Sequence, residues 1–445
     1  MQRQRAAPGA GGTGWLATLG CACALLGCAC AASATESPAP LPASLPPVSA
    51  PPASPPPTGL ARWFDPTTAP FLPIPEIDTA PHSGLTLGVI PTVLHDNERG
   101  EIDRILAPDL IHSQYFGWGS RMRIFGYPSA DTQWSVVGGL KQRVEREFDA
   151  VFATGQARMD RYTWLIEAIY DRSGTARYFG LGNDSRHAAQ TSYVDNQGRF
   201  EATLGLNLTH AWQLSYGTRW RTVSVLPGVL AGLPSIEAKF PGLEGIGSEH
   251  ELRHQLAVVR DTRDSGVIPR RGARYVLYGN VVSRALGSSA SYTAVGAEGR
   301  QYWPVGRDLT LAWHAALRYM PSAREAPFWA LSSLGGDRSV LAEREPLRAY
   351  GADRYIDRNL FSSGVELRTR VAGVEAFATH LSIEIAPFVD VGKVFAGAGE
   401  SPLSHLHKGA GIGIRGVASP FVVGYLDIGY GHDKAAVFSG LNYPF

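Results

Sequence analysis

Apolar and polar residues alternate with a period of two along stretches too long for ordinary sheet strands. Between positions 199 and 208, Phe200, Ala202, Leu204, Leu206 and Leu208 are apolar, and Arg199, Glu201, Thr203, Gly205 and Asn207 lie between them. Successive side chains of a strand point to opposite faces, so this segment presents one apolar and one polar face. The same beat sets Trp212, Leu214, Tyr216 and Trp220 against Gln213, Ser215, Arg219 and Arg221. It also sets Leu309, Leu311, Trp313, Leu317 and Tyr319 against Thr310, His314 and Arg318. A soluble sandwich alternates too, but its strands average about 5 to 6 residues. Arginine on a lipid-facing site near the midplane costs roughly 2 to 4 kcal/mol, which places the interleaved arginines on the inner face. The pattern predicts an all-β chain forming a transmembrane antiparallel β-barrel.

Other classes fit poorly. The formal net charge of the 445-residue chain is +1 and no Lys/Arg-rich run occurs, which argues against nucleic acid as a partner. Beyond the amino terminus no run of about 18 apolar residues marks a membrane helix. The sequence holds no Gly-x-Ser-x-Gly elbow, no His-Glu-x-x-His pair and no phosphate-cradling glycine loop, and His187, His250, His254 and His314 are scattered. The reading is therefore of a non-enzyme with no cofactor and no metal.

The amino terminus reads as a signal peptide over 1–34: Arg3 and Arg5, an apolar core from Trp15 to Leu26, and the small-x-small signal Ala32-Ser33-Ala34. All four cysteines, Cys21, Cys23, Cys28 and Cys30, fall there, so cleavage after Ala34 leaves a chain without thiols. Leu25-Leu26-Gly27-Cys28 also reads as a lipoprotein box, with Cys28 acylated. Residues 35–82 are rich in Pro, Ala and Ser and are expected to form a periplasmic tether. The barrel is expected over 83–445.

Counting alternating segments back from the carboxyl end gives sixteen expected strands, the first at 104–114 and the last at 435–444, with 85–95 left over. The longest gap, 321–360, then falls between the eleventh and twelfth strands. At the terminus, Val437, Leu441, Tyr443 and Phe445 share one parity, which predicts a lipid-facing stripe ending on an aromatic carboxyl terminus.

A series of motifs occurs in order in the carboxyl half. Asp261-Thr262-Arg263-Asp264 is followed by Pro269 and Gly272, and Leu334-Gly335-Gly336 by Leu347-Arg348-Ala349-Tyr350. Val365-Glu366-Leu367-Arg368, Phe388-Val389-Asp390-Val391-Gly392 and Gly409-Ala410-Gly411-Ile412-Gly413 complete it. Over about 84–445 the chain resembles the BamA and TamA superfamily of outer-membrane assembly and secretion barrels, also called bacterial surface antigens. The resemblance implies that Asp261, Arg263 and Asp264 form the family's turn. It also implies a long sixth extracellular loop folded into the lumen, with Arg348 paired to Asp390 and shared with Glu366. Parity alone puts Glu366, Arg368, Glu384 and Asp390 on polar faces. Two departures stand out: Ala349 occupies the place where the family usually has glycine, and no polypeptide-transport-associated (POTRA) domain fits between Ala34 and Gly84.

The resemblance further implies the bacterial outer membrane as location and a role in outer-membrane protein insertion or transport, with a lateral seam between first and last strands. The alternative is a passive or substrate-selective pore or surface antigen. The implied partners are outer-membrane lipid, the barrel assembly machinery for the protein's own insertion, and client polypeptides or a separate periplasmic partner. Leu441, Tyr443 and Phe445 form the implied membrane-assembly signal.

Overall fold

In a computed structural model of the chain, residues 72–78, 84–97, 102–129, 131–155, 158–338, 343–376, 379–397, 399–418, 422–441 and 443 are described. The signal peptide with its Ala34 and Cys28 alternatives, most of the expected tether, and Phe445 lie outside the described residues.

The strands in chain order are β1 (Leu72–Asp78), β2 (Thr86–Asp96), β3 (Ile102–Ser113), β4 (Gly117–Ser129), β5 (Thr132–Lys141), β6 (Arg146–Thr154), β7 (Tyr162–Ser173), β8 (Arg177–Tyr178), β9 (Thr191–Asn207), β10 (Trp212–Pro227) and β11 (Gly247–Asp261). They continue with β12 (Gly272–Val282), β13 (Tyr292–Pro304), β14 (Leu309–Ser322), β15 (Ser332–Leu334), β16 (Arg344–Glu345), β17 (Tyr355–Asp357), β18 (Asn359–Ala376), β19 (Thr379–Phe395), β20 (His407–Ala418), β21 (Val422–Gly431) and β22 (Lys434–Leu441). Apart from β8 and β15–β17, each pairs antiparallel with the next, giving an almost closed wall of eighteen strands. The two-residue β8 pairs only with the start of β9.

Alternation sets the two faces of the wall. Phe200, Trp220, Leu256, Leu277, Val365 and Val389 are exposed outward, while Arg219, Arg253, Asn280, His314, Glu366 and Asp390 are buried on the other face. Outer side chains meet lipid, and inner polar groups can be satisfied only by one another or by water. Connections at the end holding 228–246 and 323–358 are long, and those at the other end, such as 208–211 and 305–308, are short. By the usual asymmetry of such barrels the long end is extracellular.

Eighteen strands, not sixteen, build the wall. The leftover 85–95 is β2, and β1 lies inside the stretch expected to be a tether, paired to β2 from Leu72↔Thr92 to Asp78↔Thr86. Proline hides both. Pro73 and Pro75 interrupt β1, and the β2–β3 ladder breaks between Val89↔Leu110 and Val93↔Leu106, around Pro91 and Pro108. An isolated proline demotes a strand pattern, yet edge strands and irregular positions tolerate it.

The expected long sixth extracellular loop folded into the lumen also gives way. With two more strands upstream, 323–358 becomes the seventh connection on the long side, and it forms its own three-stranded sheet, β16-β15-β17. Its Phe328 packs with Tyr178 and Ile236, which come from two other connections, in one hydrophobic cluster. Several connections thus pack together at that end, and no single loop is set apart as a plug.

Candidate functional site

Among the described residues, two buried ionic groups link wall strands on the inner face to the 323–358 connection. In the first, Arg348 binds Asp390 of β19 in bidentate fashion, Nε to Oδ2 at 2.8 Å and Nη2 to Oδ1 at 2.9 Å. Its Nη1 reaches Glu366 of β18 at 2.6 Å and Asp427 of β21 at 3.3 Å, and its backbone N–H donates to Asp390 at 3.1 Å. The guanidinium also lies 3.6 Å from the centroid of the Phe388 ring. Arg368 donates to Glu366 at 3.0 Å, and Arg415 bridges Glu366 at 3.2 Å and Asp427. Three arginines therefore face three carboxylates, all fully or almost fully buried. Arginine suits the centre of such a group because its planar fork takes a carboxylate edge-on with one side and keeps donors for others. Burial alone would lower the Arg348 pKa, but Asp390, Glu366 and Asp427 outweigh it and hold that pKa well above its usual value.

Small residues make this approach possible. A Cβ at Gly429 would lie 1.6 Å from the Arg348 carbonyl oxygen, and Cβ atoms at Gly409 and Gly431 would lie 2.7 and 2.9 Å from the Ala349 Cβ. Ala349 is absent from the residues with positive φ, so alanine there is unstrained; the room its methyl needs comes from glycines on β20 and β21. On the glycine-rich β20, Gly409 makes room for Ala349, while Gly411 and Gly413 make room for the Phe388 ring and for the Arg415–Asp427 pair.

The second group was not foreseen from the sequence. Arg219 of β10 contacts Glu251 of β11 at 2.7 Å and also pairs with Glu343. Arg221 lies 3.0 Å from Glu251 and 3.2 Å from Glu343, and Arg253 lies 3.2 Å from Glu343. Burial would raise the Glu343 carboxyl, but Arg219, Arg221 and Arg253 override it and hold the pKa well below the ordinary range. The signal was present: parity turns Arg219, Arg221 and Arg253 inward, and three buried arginines require more carboxylate than the wall supplies through Glu251 and through Glu201, which lies 3.4 Å from Arg253. Nothing in the spacing singles out Glu343, which comes from a distant connection.

The turn after β11 is organised by its own acids. Arg263 chelates Asp261 through Nε at 3.0 Å and Nη2 at 2.9 Å, and Asp264 accepts from the backbone N–H groups of Arg270 and Arg271 at 3.0 and 3.2 Å. Gly272 has φ +92°, and a Cβ there would collide with the Thr262 carbonyl at 2.0 Å.

At the carboxyl end Tyr443 departs from its expected lipid-facing stripe. Its hydroxyl donates to Glu384 at 2.8 Å and its ring lies 3.8 Å from the Arg368 guanidinium carbon. The strand ends at Leu441, so the period-two count no longer fixes the direction of Tyr443. Leu441 lies in the wall strand.

The wall closes incompletely. β1 and β22 are neighbours, but among the described residues no ladder joins them, and one side-chain bond crosses, from the Ile77 N–H to the Ser439 Oγ at 2.9 Å. Alternate residues of a strand direct their backbone groups to opposite neighbours. Since the Ile77 N–H faces β22, Pro73 and Pro75 share its direction, and both lack the donor a ladder would use.

An all-β antiparallel wall with an apolar exterior and a charged interior defines a barrel protein of the bacterial outer membrane. The chain belongs to the Omp85 superfamily, whose domain matches residues 133–436. That places the resemblance read from the carboxyl-half motifs within its superfamily. Similar solved structures include BamA from Haemophilus ducreyi lacking POTRA domains 1–3, 12% identical with a TM-score of 0.48, covering 79% of this chain and 75% of that one. CdiB from Escherichia coli is 12% identical with a TM-score of 0.45, covering 84% of this chain and 63% of that one. Pseudomonas aeruginosa OpdL is 11% identical with a TM-score of 0.33, covering 83% and 96%. No curated protein matches the chain.

Proposed function

We propose that this barrel handles other polypeptides at its seam, as an outer-membrane insertion or translocation factor. The observation that carries the reading is the unpaired boundary between β1 and β22, where Pro73 and Pro75 remove donors facing β22. An edge with open backbone groups is a template for pairing with another chain, and most barrels abolish it by closure. The buried ionic groups on the inner face favour this reading over a passive pore, since they bring the 323–358 connection against wall strands. Arg348, Asp390 and Glu366 in this proposal hold that connection in place. Asp261, Arg263 and Asp264 hold the turn after β11, and the terminal residues Leu441, Tyr443 and Phe445 serve the protein's own insertion by the barrel assembly machinery.

The test is a reversible lock. Every cysteine of the sequence lies at or before Cys30, so Ile77→Cys with Ser439→Cys places a thiol pair across the seam. After depletion of the native protein, the oxidised variant is expected to leave client outer-membrane proteins uninserted, with recovery on reduction. Full complementation by the locked barrel, or depletion that leaves the outer-membrane proteome unchanged while the purified protein conducts ions steadily, would establish the pore instead.

A further inference from the structure

At the short-connection end of the barrel, the inner face lines a half-open cavity of about 360 Å³. Its walls set Phe125, Tyr302 and Val267 beside the polar Thr92, Gln133 and Ser135, and among the described residues its charged lining is Arg263 and Arg300, with no carboxylate. Arg263 is already committed to Asp261. Arg300 is not: among the described residues it has no ion-pair partner, and directly opposite it in the β12–β13 register stands another inward arginine, Arg274. Like charges facing each other across a ladder are destabilising. Two nearby acids offset part of this charge, Asp261, which is 4.0 Å from Arg274 and shared with Arg263, and Glu298, buried on the same face two positions from Arg300, but neither of them lines the cavity.

We propose that this cavity is a binding site for a small amphiphilic anion, a carboxylate or phosphate head on an apolar body. The head would meet Arg300, with Arg274 behind it, and the body would lie among Phe125, Tyr302 and Val267. A cavity of this size, with aromatic and aliphatic side chains beside polar ones that converge on it, suits a small molecule with one charged and one apolar end. Arginine is the side chain suited to such a head because its fork takes two oxygens at once. The site stands independently of the seam: it needs neither β1 nor β22 to move.

The test uses the full chain folded in a neutral detergent and calorimetric titration with phenyl phosphate, which carries head and ring. Inorganic phosphate carries the head alone, and benzyl alcohol the ring alone. Phenyl phosphate is expected to bind more tightly than either fragment. Arg300→Gln should weaken it about tenfold or more, the scale of one lost charge-assisted hydrogen bond. Arg300→Lys, which keeps the charge but not the fork, should retain only part of the affinity, and the exposed-turn control Arg307→Gln all of it. Val267→Trp fills the cavity while leaving every arginine in place and should abolish binding. Heat-modifiable gel migration verifies folding of each variant. Octanoate in place of phenyl phosphate separates a lipid-derived carboxylate from a soluble aromatic phosphate, and Arg300-dependent binding of either supports the site. Equal affinity for benzyl alcohol, no effect of both Arg300→Gln and Val267→Trp, or no binding of any anion at millimolar concentration would overturn it.

Discussion

Replacing Arg348 by methionine keeps an unbranched apolar stem and removes the guanidinium with its charge. The group then holds two arginines, Arg368 and Arg415, against three fully buried carboxylates, Glu366, Asp390 and Asp427. Asp390 loses both guanidinium bonds, at 2.8 and 2.9 Å, and keeps only the Arg348 backbone N–H at 3.1 Å. Removing one partner of a buried pair costs about 3 to 5 kcal/mol, because the other is left charged and unpaired. Asp390→Asn should cost a similar amount with the opposite imbalance, three arginines against two carboxylates. The double variant restores neutrality, since Arg368 and Arg415 still match Glu366 and Asp427. Its cost should be near that of one single variant rather than the sum, giving a coupling of about 3 kcal/mol, at the upper end for residues in contact. Urea unfolding in micelles, followed by tryptophan fluorescence and heat-modifiable migration, measures all four corners of the cycle. Additivity within about 0.5 kcal/mol, the behaviour of independent sites, would refute the reasoning.

Two further outcomes follow from the same contacts. Gly429→Ala, whose Cβ would lie 1.6 Å from the Arg348 carbonyl oxygen, should destabilise the barrel by about 1 to 3 kcal/mol, whereas Gly416→Ala, with nothing within 4 Å, should be close to neutral in the same unfolding assay. The Glu343 carboxyl, held well below its ordinary pKa, contributes stability that is complete above the unfolded value of about 4.3 and is lost as pH falls through the folded value. Wild-type unfolding midpoints should therefore drop as pH falls below 4, while Glu343→Gln should be less stable at neutral pH and flatter in acid.

How much could be read beforehand varied with the physical nature of the signal. Long strands with a strict beat, such as β10 and β14, were legible because lipid on one side and buried charge on the other leave each position little choice. Leu72–Asp78 and Thr86–Asp96 were harder, since Pro73, Pro75 and Pro91 break the pattern of a strand that is nonetheless allowed at an irregular edge. The inward direction of Glu366 and Asp390 could be deduced from parity. That Asp427 joins them, and that Glu343 sits among Arg219, Arg221 and Arg253, depends on contacts between residues far apart in sequence, which no local period encodes. Tyr443 turned inward because it lies beyond the last strand residue, where alternation stops applying.

The longest wall strands outrun the membrane. β18 and β19 run for 18 and 17 residues. At about 3.3 Å per residue and a tilt near 40°, each rises by more than about 40 Å along the membrane normal. The apolar band of such barrels is about 25 Å tall. Hydrocarbon therefore bears on little more than half of each of these strands, and the rest of their length stands in the polar layers, where the outer face is released from the demand for apolar side chains.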